Sequence, residues 1–71
     1  MEFREKAKIR IAHWMKHTCD HVEEYARFAD ELERSGYKDA ARNIREMATM
    51  TANCTRCLKD ALGSVEEASC A

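Results

Sequence analysis

Apolar and small side chains recur along the first half of the chain at alternating steps of four and three residues. This spacing keeps them on one side of an α-helix, so it predicts a single long helix from about residue 3 to residue 34. Ser35-Gly36 is a suitable end for this helix, because glycine readily adopts the left-handed backbone that closes many helices. The members of this row are Ile11, Met15, Thr18, Val22, Tyr25, Ala29 and Leu32.

A second row with the same alternation predicts a second helix over about residues 37–62. Gly63 is interpreted as its cap, and residues 63–71 as a short, partly helical tail. β-branched residues are few and no apolar period of two appears, which argues against strands. The row consists of Ala40, Ile44, Met47, Thr51, Cys54, Leu58 and Ala61, and Val65 extends it.

These patterns predict an all-α fold in which one domain, residues 1–71, forms an antiparallel helical hairpin, because the connection between the helices is short. A single core is marginal in a chain of 71 residues. Two helices also cover little of each other's apolar stripe, so we expect two hairpins to pair into a dimeric four-helix bundle. Opposite charges four residues apart support the helices, at Glu23–Arg27, Asp30–Arg34, Arg42–Glu46 and Arg56–Asp60.

The charge and composition of the chain argue against nucleic acid and membrane as binding partners. The net charge of −1 provides no basic field for nucleic acid. No apolar run approaches the ~20 residues of a membrane span, and the first residues lack the apolar core of a signal peptide. We therefore expect a cytoplasmic protein with no nucleic-acid or membrane partner, whose four cysteines are kept reduced.

All the histidines of the chain, His13, His17 and His21, recur every four residues. On an α-helix each lies only about 40° around the axis from the previous one and one turn further along. They therefore form a ladder on one side of the first helix. Imidazoles spaced in this way can share a transition-metal ion.

On a helical wheel, His17 and His21 fall among aromatic residues that border the apolar row, and His13 lies further out. Glu24 lies beside them and offers a carboxylate. We therefore expect His17 and His21 to be the main metal ligands, with His13 or Glu24 completing the set. The alternative is that these histidines are structural, forming local hydrogen bonds and packing on the rings. The aromatic residues concerned are Trp14, Tyr25 and Phe28.

The cysteines leave three interpretations open. Cys54 and Cys57 form a Cys-x-x-Cys pair inside the second helix, with Cys54 on the apolar row and Cys57 at its edge. They are either small packing residues or, with Cys19, candidate thiolate ligands beside the ladder. Cys19 is level with Cys54 in a hairpin, so a disulfide after oxidation is the third interpretation, although Cys19 leaves its helix on the other side from His17. Cys70, near the end of the chain, is given no role.

The histidine motif of the first helix is part of a longer stretch, His13 to Ala61, that resembles a known family. The residues that carry it are His13, Trp14, His17, His21, Gly36 and Ala61-Leu62. The stretch resembles a family of small prokaryotic helical-hairpin proteins of unknown function, marked by His-Trp-x-x-His-Asn-x-Glu-His. Thr18 and Asp20 stand where that motif has Asn and Glu. The resemblance implies that the three histidines act as one functional set, as metal ligands, without naming the metal or a reaction.

The leading hypothesis is a small metal-binding protein for sensing, delivery or storage, with Zn²⁺, Ni²⁺, Fe²⁺ or Cu²⁺ bound by imidazole and carboxylate. The alternative is a dimerisation or adaptor module that binds no metal. An enzyme is disfavoured, because Trp14 occupies the place of the glutamate in the zinc-protease motif His-Glu-x-x-His. Di-metal carboxylate bundles need Glu-x-x-His, which is absent here, and Glu46 is the only carboxylate between Asp39 and Asp60. Bis-histidine haem binding across a dimer stays open, with nothing that selects for it.

Overall fold

A computed structural model of the chain describes residues 2–68, which form two long helices. Helix α1 spans Phe3–Arg34 and helix α2 spans Lys38–Ala68. They pack against each other as an antiparallel hairpin with Cα extents of 55 × 18 × 10 Å, and the described residues contain no strand. The predicted all-α helical hairpin is confirmed.

The turn between the helices begins where the sequence predicts it. Gly36 has φ of 93°, a left-handed conformation that strains any residue with a side chain. The N–H of Tyr37 donates to the carbonyl of Leu32 at 2.9 Å, and the N–H of Gly36 donates to that of Glu33 at 3.1 Å. These two bonds form a Schellman motif, which satisfies the last carbonyls of α1.

The row predicted on α1 is confirmed as the surface that faces α2. All seven of its residues are half-buried or buried, and Ala29 is completely buried. Residues on either side of the row are mostly exposed. The 4-3 spacing therefore identified the contact side of this helix correctly.

The row predicted on α2 is only half right. Ile44, Thr51, Leu58 and Val65 are half-buried, as predicted. The alternate members that face α1 are Ala41, Ala48, Thr55 and Leu62, each one position later than predicted. Small side chains at the first three positions let the helices approach closely. The residues predicted in place of these four remain exposed. That set is Ala40, Met47, Cys54 and Ala61.

Helix α2 also continues past Gly63, the end predicted from the sequence, and runs to Ala68. A glycine inside a helix costs only about 1 kcal/mol relative to alanine, and the half-buried Leu62 and Val65 on either side hold the segment against α1. The rest of the predicted tail, including Cys70, lies outside the described residues.

Ion pairs join the helices near the turn. Arg45 of α2 donates to Asp30 at 2.9 Å and to Glu33 at 2.6 Å. These bonds, the one to Glu33 first, raise the pKa of Arg45 above its ordinary value. Within α2, Arg42 pairs with Asp39 at 3.0 Å. Asp30 and Arg42 therefore have partners other than the ones that the four-residue spacing predicted.

The hairpin buries very little of itself. Within residues 2–67, the buried hydrophobic side chains are Ala29, Ala41 and Ala48. The accessible surface is 5651 Å², for a chain of 8.2 kDa. Folded monomeric proteins of that mass expose about 4,500 Å², so the hairpin exposes roughly 1,100 Å² more than its mass predicts. Neither described helix contains a stretch long and apolar enough to cross a membrane.

Candidate metal centre on the histidine face

The histidine ladder lies on the exposed surface of α1. The ring centroids of His13 and His17 are 4.3 Å apart, with the ring planes tilted by 59°. The centroids of His17 and His21 are 6.4 Å apart. In the structure the ring of His17 therefore lies closer to the ring of His13 than to the ring of His21. The helical wheel had instead favoured His17 and His21 as the main pair.

The close pair has the separation that chelation needs. Zinc–nitrogen bonds to imidazole are about 2 Å long, so two rings that share one ion have centroids roughly 5 Å apart. The 4.3 Å between the rings of His13 and His17 is nearer to this value than the 6.4 Å between the rings of His17 and His21. Both residues are exposed, so an ion approaches them without any change in the fold.

The upper end of the ladder has a different neighbour. The ring of His21 stacks on that of Tyr25, with centroids 6.0 Å apart and an interplanar angle of 13°. Tyr25 belongs to the half-buried row that faces α2, so it connects the ladder to the helix contact. The sequence carried a signal for this contact, because Tyr25 continues the four-residue spacing of the histidines.

One hairpin does not assemble the full predicted ligand set. Glu24 is exposed and lines a shallow surface depression with Arg27 and Phe28. Within the part of the chain that the structure describes, no group of three or more His, Cys, Asp or Glu side chains is close enough to hold a metal ion. The nearest approach to a site within one chain is therefore the His13–His17 pair.

Large exposed aromatic side chains accompany the ladder. Trp14 is 50% exposed and Phe28 is 52% exposed. On the helical wheel both leave α1 on the same flank of the contact row as His17 and His21, and Arg10 lies on this flank as well. Exposed indole and phenyl groups of this size are typical of a surface that meets a partner.

Helix α2 extends the same side of the hairpin. In an antiparallel pair, residues on the same angular flank of each contact row lie on the same side of the pair. We call this side the histidine face. It comprises Trp14, His17, His21 and Phe28 of α1, with His13 at the outer edge, and Met47, Met50, Cys54 and Cys57 of α2.

The three cysteines within the described residues are free thiols at the surface. Cys54 and Cys57 are exposed on the histidine face, so the placement of Cys54 on the helix contact was wrong. Cys19 is also free and exposed, and its wheel position puts it on the opposite side of the hairpin. The structure therefore forms no Cys19–Cys54 disulfide, and it separates Cys19 from the other two candidate thiolate ligands.

The opposite side, which we call the charged face, is bordered by the ion pairs of Arg45. Lys16 and Asp20 pair at 3.5 Å further along α1. The charged face comprises Lys16, Glu23, Asp30, Arg45, Arg56 and Lys59, with Cys19 and the small residues Ala12 and Ala52 between them.

A comparison with protein families matches the chain over residues 7–65 to a family described as "Domain of unknown function (DUF8180)". This range includes the whole histidine ladder, the turn and most of α2. No curated protein and no solved structure is similar enough to the chain to count as a match. Because the match covers most of its length, the chain belongs to this family, the domain of unknown function DUF8180.

Proposed function

We propose that the protein is a small metal-binding protein in which the histidine ladder of one hairpin supplies part of a site that a second copy completes. The observation that carries the proposal is the 4.3 Å separation of the His13 and His17 rings on an exposed helix surface. His21 and Glu24 lie within two turns of this pair and are the further ligands that one chain offers.

Self-association supplies what one hairpin lacks. The excess surface of roughly 1,100 Å² per chain is more than the ~800 Å² that each partner buries in an ordinary stable interface. The exposed Trp14 and Phe28 give the histidine face the aromatic content of such an interface. A dimeric four-helix bundle that buries this face covers the surface that the hairpin leaves open.

The symmetry of a dimer suits the chemistry. A two-fold axis joins the same surface of both copies. When that axis passes beside the His13–His17 pair, the pairs of the two copies face each other and share one ion. Four neutral imidazoles fill the tetrahedral coordination that zinc prefers in closed sites. Ni²⁺, Fe²⁺ and Cu²⁺ also accept imidazole, and availability in the cell selects among them.

A closed site of this kind suits sensing, delivery or storage. Catalytic zinc keeps a position open for water or substrate, whereas four imidazoles leave none. We therefore propose a non-catalytic role.

Equilibrium dialysis against Zn²⁺, followed by elemental analysis, tests the proposal. We expect one ion per two chains for the unaltered protein, and almost none for the His13→Ala/His17→Ala variant. Lys16→Ala is the matched control, because Lys16 is exposed on the same turn without a ligand atom that the proposal uses. Equal zinc content in the histidine variant and the control would overturn the proposal.

The second candidate function is self-association without a metal, favoured by the small core of Ala29, Ala41 and Ala48. In this case the histidines are polar residues of the interface. One measurement distinguishes the two candidates, namely the dependence of dimer formation on protein concentration. If this dependence is the same with added zinc and with added chelator, the second candidate is favoured.

A further inference from the structure

Four sulfur-containing side chains follow one another along the histidine face of α2. Met47, Met50, Cys54 and Cys57 are separated by steps of three, four and three residues. Helix residues three or four apart have Cβ atoms about 5–6 Å from each other, so each of these side chains neighbours the next. We call them the sulfur row.

The hairpin does not use the sulfur row for its own packing. Met50 is 63% exposed and Met47 is 38% exposed. Cys54 and Cys57 are exposed free thiols. Cysteine and methionine are among the residues most often buried, so a solvent-exposed line of four has no explanation in the contact between α1 and α2.

We infer that the sulfur row binds a soft monovalent cation, Cu⁺, through the thiolates of Cys54 and Cys57 and the thioether of Met50. Thiolates bind both Zn²⁺ and Cu⁺, and the soft thioether sulfur of Met50 beside them favours Cu⁺. Cys57 lies three residues after Cys54 and Met50 four residues before it, so Cys54 is the central ligand. Met47 extends the row by one further sulfur.

The chemistry of binding is simple to balance. The two thiols release their protons to solvent as Cu⁺ binds, and the product is a two-thiolate complex with a net charge of −1. No electron is transferred, because the ion enters and remains as Cu⁺. Low coordination numbers suit Cu⁺, so this site needs neither the four ligands of structural zinc nor a second copy.

The test is a competition titration under nitrogen, in which Cu⁺ is supplied as its complex with a chromophoric chelator. We expect the full chain to take one Cu⁺ from the chelator. The Cys54→Ser/Cys57→Ser variant is expected to bind more than ~100-fold more weakly, and Met50→Leu about tenfold more weakly. Circular dichroism of each variant checks that the helices are retained.

Cys19→Ser is the matched control, because it removes an exposed thiol from the charged face. Its Cu⁺ affinity is expected to equal that of the unaltered protein. An equal loss in Cys19→Ser and in the double variant would overturn the inference, since binding would then belong to thiols in general. Serine substitutions that weaken self-association and leave Cu⁺ affinity unchanged would also overturn it, since the row would then be an apolar contact surface.

The sulfur row and the histidine ladder share the histidine face but use different ligand atoms and different ions, so zinc content and Cu⁺ affinity test them separately. The His13→Ala/His17→Ala variant is expected to lose zinc and to keep its affinity for Cu⁺. The Cys54→Ser/Cys57→Ser variant is expected to lose Cu⁺ and to keep zinc.

Discussion

The histidine face and the charged face are built by the same two helices, yet they carry opposite chemistry. On the charged face, Arg45 closes onto Asp30 and Glu33, and Lys16 reaches Asp20. On the histidine face, Trp14 and Phe28 remain half exposed beside the exposed imidazole rings and sulfur atoms. One side pairs several of its charged groups within the chain, and the other presents apolar area and metal-ligand atoms that the contact between α1 and α2 does not use. The difference points to the histidine face as the functional side.

The largest expected effect is on self-association, and it follows from placing a charge on each face. Trp14→Glu buries an unpaired carboxylate in the proposed dimer interface, which costs several kcal/mol, so the dimer Kd is expected to rise more than ~100-fold. Ala12→Glu, two residues away on the charged face, is the control and is expected to leave the Kd unchanged. Sedimentation velocity over a range of concentrations measures both, and equal behaviour of the two variants would remove the distinction between the faces.

The next effect is the stabilisation that a bound ion provides. Zinc at 100 times its Kd is expected to stabilise the unaltered protein by about 2.7 kcal/mol, because only the native state forms the site. The His13→Ala/His17→Ala variant is expected to gain nothing. Thermal melts with zinc and with chelator measure the difference at fixed protein concentration. If neither zinc nor chelator changes the melting temperature of the unaltered protein, the proposed site is contradicted.

A third effect concerns the contact between α1 and α2. Ala48 is 8% exposed and Met47, beside it, is 38% exposed. Ala48→Leu overfills the contact and is expected to cost about 1–3 kcal/mol of unfolding free energy. Met47→Leu is expected to change that free energy by less than about 0.5 kcal/mol. Urea unfolding compares the two, and the reverse order would show that α2 faces α1 with the row first predicted from the sequence.

The smallest effect is expected on the charged face itself. Arg45→Ala removes the ion pairs to Asp30 and Glu33, which are exposed and screened by salt. Arginine is effectively always protonated and these ion pairs raise the pKa of Arg45 further, so salt is a more informative variable than pH. We expect a slight decrease in the urea midpoint at low salt that disappears at high salt. A large decrease that persists in high salt would assign the charged face a greater structural role.

The first helix was predictable from its sequence, and the second was predictable only in part. On α1 the apolar row has one solution, and the structure follows it. On α2 the chain places small or apolar residues side by side, as at Met47-Ala48 and Cys54-Thr55. Two rows rotated by one residue therefore satisfy the same 4-3 spacing. Close packing against α1 selects the row with the smaller side chains, and spacing carries no information about that choice.

The candidate site shows the same division. The four-residue spacing correctly predicted that the histidines share one side of α1. It did not distinguish His13–His17 from His17–His21, because side-chain rotation and the stacking of His21 on Tyr25 decide which rings approach. The Cys-x-x-Cys pair predicts Cys54 and Cys57 as candidate thiolate ligands, but the 4-3 spacing places Met47 and Cys54 in the helix contact, so it does not indicate the methionines of the sulfur row.

A native mass spectrum of protein purified without chelator is the most direct test of a metal site shared by two copies. The account predicts a dimer that carries one divalent metal ion, counted apart from any Cu⁺ on the sulfur rows, and the loss of that ion in the His13→Ala/His17→Ala variant. A monomer that retains a divalent metal ion, or a variant dimer with the same divalent metal content as the unaltered protein, would contradict it.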